Sequence, residues 1–323
     1  MSCVEQALLF PCAGEILPAI IAWPYDPLVV KGQGGNEAND ARGARTNGGD
    51  RSGSVPCAAR PPSCGVLIVV GGPQYRVGSH RQFLLLARRL AAAGYPVMRF
   101  DYRGMGDASG AMPGFEAVSN DVGAAIDAFR SAAPGLRKIV LWGLCDAASA
   151  ALLYVQASAD ERVAGMVLLN PWVRSETSLA QTHLKHYYGQ RLLQKEFWWK
   201  LCTGRMELLK SVRDLLRTAV LARRPGAAEA GTTVNASFQE RMAGGWRQFS
   251  GKILLILSSE DYTAKEFLEY AASSSGWSGL LDAPKVSRLD LADADHTFSS
   301  LTWRRSVEEA TLAWLDALNG AHT

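Results

Sequence analysis

A cysteine near the middle of the chain has neighbours that favour nucleophilic chemistry. Cys145 follows the apolar run 138–142 and precedes a run of helical composition, with Gly143 two residues before it and Ala147 two residues after it. A nucleophile in a sharp turn between a strand and a helix needs small residues at both places, because larger side chains would meet the backbone. The start of the helix favours a thiolate at the sulfur. The spacing therefore predicts that Cys145 is a nucleophile, with a buried structural cysteine as the alternative.

Two later segments carry the partners that such a nucleophile requires. Asp261 and His296 each follow a strand-like run, in the chain order nucleophile, acid, histidine. Both side chains would lie at carboxyl ends of parallel strands, where ligand sites of α/β sheets gather. His296 would take the proton from Cys145, and Asp261 would fix the imidazole tautomer and stabilise the imidazolium. Glu260 is the alternative acid.

Acyl transfer also needs two backbone N–H groups that face the developing oxyanion. Asp146 follows the predicted nucleophile directly and would supply one of them. The other should come from the loop at 71–75, after the first core strand. Pro73 has no N–H, so the sequence favours Gln74, with the hydroxyl of Tyr75 as the alternative.

The elements that must position these residues follow a regular alternation. Residues 4–10 and 15–23 predict an opening hairpin that turns at Gly14. Apolar strand-like runs then alternate with amphipathic helical segments, which predicts βαβ units and a parallel sheet. The predicted strands are 65–70, 95–100, 138–142, 163–169, 252–257 and 285–291, and the predicted helices are 80–93, 116–132, 145–157 and 306–318. With the motifs above, this order indicates an α/β-hydrolase fold, with a mostly parallel central sheet flanked by helices.

Two segments interrupt the alternation. Residues 31–64 are dominated by Gly, Asn, Ala, Arg and Ser, so we predict a flexible low-complexity insertion there, with a partner-binding tether as the alternative. Residues 174–246 have helical spacing without a strand-like run, which predicts a helical cap inserted before the late strands. The remaining ranges are predicted to be N-terminal strands of the core (1–30) and two parts of the α/β-hydrolase core (65–173 and 247–323).

Composition limits the classes of partner. The net charge of +3 on 323 residues is too small to indicate nucleic acid, and no apolar run approaches the ~20 residues of a membrane-spanning helix. The start of the chain lacks a basic secretory n-region, and six cysteines without CxxC spacing suggest free thiols in a reducing compartment. These features predict a cytoplasmic protein without a metal or cofactor. The aromatic run 197–199 could line an acyl pocket or contact a membrane surface, with ordinary packing as the alternative.

Five segments together resemble one family of enzymes. The segments are 71–81, 100–107, 143–147, 259–267 and 294–298, and they are similar to the exosortase A system-associated hydrolases of the first type. The similarity extends over most of residues 65–318, whereas the insertion at 31–64 looks peculiar to this chain. The resemblance implies an α/β-hydrolase fold and a role linked to exopolysaccharide biosynthesis and protein sorting, and it implies no particular substrate.

A cysteine nucleophile would form a thioester acyl-enzyme, which leaves three functional hypotheses. The first is hydrolysis of an ester, thioester or lactone on a small-molecule, lipid-linked or saccharide-linked substrate. The second is transfer of the acyl group to a sugar or amine acceptor. The third is a non-catalytic binding protein on the same fold. The sequence does not indicate an oligomeric state.

Overall fold

The computed structural model describes residues 3–24, 63–72, 74–174 and 236–320. The chain divides into two compact units, one made of Met1–Trp172 and Phe238–Thr323 and the other of Val173–Ser237. Almost all of the predicted insertion and most of the predicted cap lie outside the described residues. The domain boundaries given above therefore stay predictions, and every element described below belongs to the first unit.

An eight-stranded sheet forms the centre of this unit, in the order β1-β2-β4-β3-β5-β6-β7-β8. The strands are β1 (Val4–Cys12), β2 (Glu15–Trp23), β3 (Cys64–Val69), β4 (Val97–Phe100), β5 (Lys138–Leu144), β6 (Val163–Leu169), β7 (Lys252–Ser258) and β8 (Val286–Leu291). The hairpin β1–β2 is antiparallel and joins β4 in the antiparallel sense, whereas all pairings from β4 to β8 are parallel. The predicted α/β-hydrolase fold, with a mostly parallel sheet, is confirmed.

Burial explains why the central strands are continuously apolar. Every residue of β3 is buried, and so are six of the seven residues of β7. Helices cover both faces of such a parallel sheet, so neither face of these strands needs polar side chains. The edge strand β8 has no buried residue, which explains its weak apolar pattern in the sequence.

Six α-helices accompany the sheet in the described ranges. They are α1 (Gln82–Ala92), α2 (Ser119–Ala132), α3 (Asp146–Ser158), α4 (Phe238–Gln248), α5 (Tyr262–Ser273) and α6 (Leu301–Gly320). In α3 all residues from Ala147 to Val155 are buried, because α3 packs against both β5 and α4. A Cβ on Gly245 of α4 would lie 2.2 Å from the carbonyl oxygen of Leu152, so glycine allows these two helices to approach closely.

Candidate active site

Cys145 occupies the sharp turn between β5 and α3. Its backbone has φ 63° and ψ −126°, a conformation that non-glycine residues rarely adopt. A Cβ on Gly143 would lie 2.7 Å from the carbonyl of Ala147, which is the steric reason for a small residue at that position. The N–H of Cys145 donates to the carbonyl oxygen of Leu169 at 2.9 Å. The neighbouring strand β6 thus holds the strained turn in place.

The structure brings Cys145, His296 and Asp261 into one chain of contacts. The His296 side chain is hydrogen-bonded to Cys145 on one side. On the other side, its Nδ1 lies 2.8 Å from Oδ2 of Asp261. The neighbouring Glu260 is exposed and lies beside Lys265, with 3.8 Å between their charged atoms. The contact with the imidazole is therefore made by Asp261.

The carboxylate of Asp261 is fixed by the helix that follows it. Asp261 is buried and is the N-cap residue of α5. Its Oδ1 accepts the N–H of Thr263 at 3.1 Å, and its Oδ2 accepts the N–H of Ala264 at 3.3 Å as well as facing His296. A carboxylate that accepts two helix amides has little freedom to rotate, so it presents Oδ2 to the imidazole in one orientation.

These contacts favour the charged form of His296. Its pKa is raised to about 10, first by the hydrogen bond to Asp261 and next by the hydrogen bond to Cys145, while burial opposes the shift. At neutral pH the imidazole is therefore protonated. An imidazolium in contact with Cys145 can act as a general acid beside the sulfur.

A buried asparagine connects the loops that carry the acid and the histidine, and sequence reasoning missed it. Asn170 follows β6 directly, is fully buried and has φ 43°. Its Nδ2 donates to Oγ of Ser258 at 2.8 Å and to the carbonyl oxygen of His296 at 3.3 Å, while its Oδ1 accepts the N–H of Ser258 at 2.9 Å. Oγ of Ser258 in turn donates to the carbonyl oxygen of Asp295 at 3.0 Å. The sequence signal that could have indicated Asn170 is a polar residue directly after an apolar strand.

The predicted oxyanion loop lies against the first turn of α3. The N–H of Gly72 donates to Oδ2 of Asp146 at 2.8 Å, whereas the N–H of Gln74 donates within its own loop, to the carbonyl oxygen of Gly72 at 2.7 Å. Gly72 is thus a loop amide directed at the turn that carries Cys145, which sequence reasoning did not single out. The assignment of Gln74 and Asp146 as oxyanion donors stays a prediction.

A buried aspartate anchors the other end of this loop. Asp101 is fully buried and accepts the backbone N–H of Arg76 at 2.8 Å, the Arg76 guanidinium and the backbone N–H of Asp107 at 3.0 Å. A Cβ on Gly106 would lie 2.3 Å from Oδ2 of Asp101, so the chain can fold around this carboxylate only with glycine there. The loop that carries Gly72 is therefore fixed at both ends.

Within residues 3–24, 63–72, 74–174 and 236–320, no three His, Cys, Asp or Glu side chains converge in the way that metal ligands do. Over the same ranges, none of the helices combines the length and the hydropathy of a bilayer span.

Comparisons with known proteins agree with this fold. A family model described as Hydrolase_4, serine aminopeptidase S33, matches residues 62–236, slightly more than half of the chain. The solved structure of the Pyrococcus furiosus esterase Pf2001 superposes with a TM-score of 0.57 at 12% identity, over 98% of this chain and 91% of that one. A hydrolase of Agrobacterium vitis S4 gives a TM-score of 0.52 at 16% identity, over 97% and 99%. An α/β serine hydrolase homologue from Coxiella burnetii gives 0.52 at 12% identity, over 96% and 97%. No curated protein matches the chain.

Proposed function

The chain belongs to the Hydrolase_4 family, serine aminopeptidase S33, and we propose that this hydrolase cleaves an ester, thioester or lactone with the thiolate of Cys145 in place of a serine hydroxyl. The observation that carries the proposal is the continuous contact from Cys145 through His296 to the buried Asp261. The three residues stand in the roles of nucleophile, proton carrier and orienting acid.

The first half-reaction forms an acyl-enzyme. The thiolate of Cys145 attacks the carbonyl carbon, a C–S bond forms and the carbonyl oxygen becomes an oxyanion. When this intermediate collapses, the bond to the leaving group breaks, and the imidazolium of His296 gives its proton to the departing oxygen or sulfur. Because the pKa of His296 is about 10, this proton is already in place at neutral pH.

The second half-reaction releases the acid. After the first step His296 is neutral, and its nitrogen can accept a proton from a water molecule that attacks the thioester. Collapse of the second intermediate breaks the C–S bond, releases the carboxylic acid and restores the thiolate and the imidazolium. Asp261 keeps the same contact with Nδ1 throughout, so the nitrogen that carries the mobile proton always faces Cys145.

The resemblance of five segments to the exosortase A system-associated hydrolases favours a saccharide-linked or lipid-linked acyl substrate. We propose the cytoplasm as the place of action, because a free thiol stays reduced there. The test of the chemistry itself does not depend on this choice, since simple activated esters report on the nucleophile and the proton carrier alone.

The experiment combines p-nitrophenyl ester turnover with intact mass measurement. Wild type is compared with Cys145→Ala and His296→Ala, and Cys3→Ser serves as the matched control because Cys3 is a partly exposed free thiol outside the site. We expect nitrophenol release and a single acyl adduct in the wild type and in Cys3→Ser, and neither in the other two. Equal rates in all four proteins would show that Cys145 is not the nucleophile.

A further inference from the structure

The residue after the proposed nucleophile carries a carboxylate that the mechanism above does not use. Asp146 is the first residue of α3 and is partly buried. Its Oδ2 accepts the N–H of Gly72 at 2.8 Å. Its Oδ1 is shielded from solvent and has no hydrogen-bond partner among the described residues. The carboxylate therefore points away from water and towards the oxyanion loop.

The fit between this carboxylate and the loop is close. A Cβ on Gly71 would lie 2.2 Å from Oδ1 of Asp146 and 2.8 Å from the carbonyl oxygen of Leu144. The loop can approach the nucleophile turn only because Gly71 has no side chain, and Asp146 fills the gap that remains. An oxyanion formed by attack of Cys145 would be received between these two backbone segments, where the predicted N–H donors lie.

The charge of Asp146 therefore affects how well an oxyanion can be stabilised beside it. Burial, the largest effect, raises the pKa of Asp146, while the amides of Gly72, Ala147 and Asp146 itself and the charge of His296 act in the opposite direction. The amide that could stabilise an oxyanion is instead bound to an existing anion. A second negative charge developing beside the carboxylate would be repelled by it, and strongly so in a site with little water.

We propose that Asp146 determines the rate and the pH range of acyl transfer, because its carboxylate occupies the place of the oxyanion between the Gly72 amide and α3. Acyl transfer is fast when this carboxyl is neutral or has turned away, and slow when it is ionised and seated. The inference rests on the proposed function, since it concerns the oxyanion that attack by Cys145 creates.

Other titratable groups face Asp146 and must be separated from it. They are Cys145 in the same turn, His296 in the loop after β8 and Tyr102 in the loop after β4. Burial raises the pKa of Tyr102, so its hydroxyl stays neutral in the range of interest. The ring signal of His296 is titrated in the wild type and in each Asp146 variant, which separates a change in the pKa of His296 from the loss of the Asp146 charge.

The test compares Asp146→Asn and Asp146→Ala with the wild type on a neutral p-nitrophenyl ester. Asparagine removes the charge at constant volume, and alanine also frees the Gly72 amide. A single oxyanion donor is worth roughly 10²–10³ in kcat, so we expect kcat/KM at neutral pH to increase by about tenfold or more in both variants. The increase should shrink towards one as the pH falls and the wild-type carboxyl becomes protonated. Asp127→Asn is the control and should behave as the wild type. It neutralises an exposed carboxylate on α2 that is paired with Arg162.

Three outcomes would overturn the inference. Lower activity in both Asp146 variants would show that the carboxylate assists the reaction, and unchanged activity would show that it lies outside the reacting region. A ratio that does not depend on pH would show that its charge has no effect. Melting temperature and the rate of Cys145 alkylation by iodoacetamide are measured in parallel, because alkylation forms no oxyanion and should persist in every folded variant. If wild-type Cys145 forms no acyl adduct, both the proposed function and this inference are wrong. If the adduct forms at the same rate in the wild type and in the Asp146 variants, only this inference is wrong.

Discussion

Replacement of Asp261 by asparagine tests whether a buried carboxylate holds His296 as an imidazolium. The pKa of His296 is raised to about 10, and the hydrogen bond to Asp261 is the largest cause. Asparagine has the same volume, and its carbonyl oxygen can keep the amide of Thr263. Its NH₂ group then replaces the oxygen that faces Nδ1 of His296. The variant therefore removes the negative charge and also favours the wrong tautomer of the imidazole.

The size of the effect follows from the contacts of the imidazole. The His296 side chain is 35% exposed, which screens its interaction with Asp261, and Cys145 accounts for another part of the raised pKa. With both allowances we assign about 2 kcal/mol to the charge of Asp261. Asp261→Asn should therefore lower the pKa of His296 by about 1.5, to about 8.5, which makes the imidazolium roughly thirtyfold less stable relative to the neutral imidazole.

The assay follows the ring signals of isotopically labelled histidines by NMR as the pH is raised from mildly acidic to strongly alkaline values. His296→Ala identifies the signal of interest. Glu260→Gln is the matched control, because Glu260 is the adjacent carboxylate but is exposed and lies beside Lys265. It should leave the titration of His296 unchanged. A wild-type His296 that titrates near its usual pKa, or an equal titration in Asp261→Asn, would refute the reasoning.

The same pair makes stability depend on pH. Because the folded-state pKa of His296 lies above its unfolded value of 6.5, the pair stabilises the fold fully below about pH 6.5, and this contribution is lost as the pH rises through about 10. Asparagine caps a helix about as well as aspartate, so the capping of α5 should change little at any pH. The difference in melting temperature between wild type and variant should therefore be larger near pH 6 than near pH 10.

Two further substitutions test the elements that position the site. Asn170→Ala leaves the buried N–H of Ser258 without its acceptor, so it should destabilise the fold by about 1–3 kcal/mol in urea titrations and lower kcat while KM stays nearly constant. An unchanged kcat in the folded variant would remove the positioning role. Gly143→Ala places a methyl group 2.7 Å from the backbone of Ala147 and should cost several kcal/mol, on the order of the largest single-substitution effects. Gly123→Ala in α2 is its control, because the new methyl would meet only Tyr154, at an ordinary 3.7 Å; it should be neutral or stabilising by about 0.5–1 kcal/mol. Equal stability of the two variants would contradict the steric argument.

Much of the architecture could be predicted because it is encoded locally. Apolar runs of strand length predict the buried strands β3, β5, β6 and β7, since a strand covered on both faces has no polar positions. The sharp turn at Cys145 could also be predicted, because its steric demand falls on Gly143 and Ala147 in the immediate sequence. Helix α5 carried a usable signal as well. Asp261 is followed by apolar residues at helical spacing. The predicted helices nevertheless do not include α5, which Asp261 caps.

The contacts that decide the chemistry depend on the fold and could not be predicted from the sequence alone. Asn170 and Ser258 are separated by 88 residues, and Gly72 and Asp146 by 74. No local pattern specifies such pairs, because they form only when neighbouring strands bring two loops to the same edge of the sheet. The predicted donor Gln74 shows the same limit: the loop was identified, but the direction of each of its amides depends on backbone turns that composition does not encode.

Three aspartates near the site show why residue type alone does not give a role. Asp101 and Asp261 each accept two backbone amides and face a cationic side chain, so their charge is compensated inside the protein. Asp146 accepts the amide of Gly72 through one oxygen, while its other oxygen has no partner among the described residues. A buried charge with incomplete compensation is costly in the resting enzyme. This cost has an explanation if the charge of Asp146 changes during the reaction. We therefore expect acyl transfer to be controlled at Asp146 rather than at Asp101 or Asp261, whose charges are compensated.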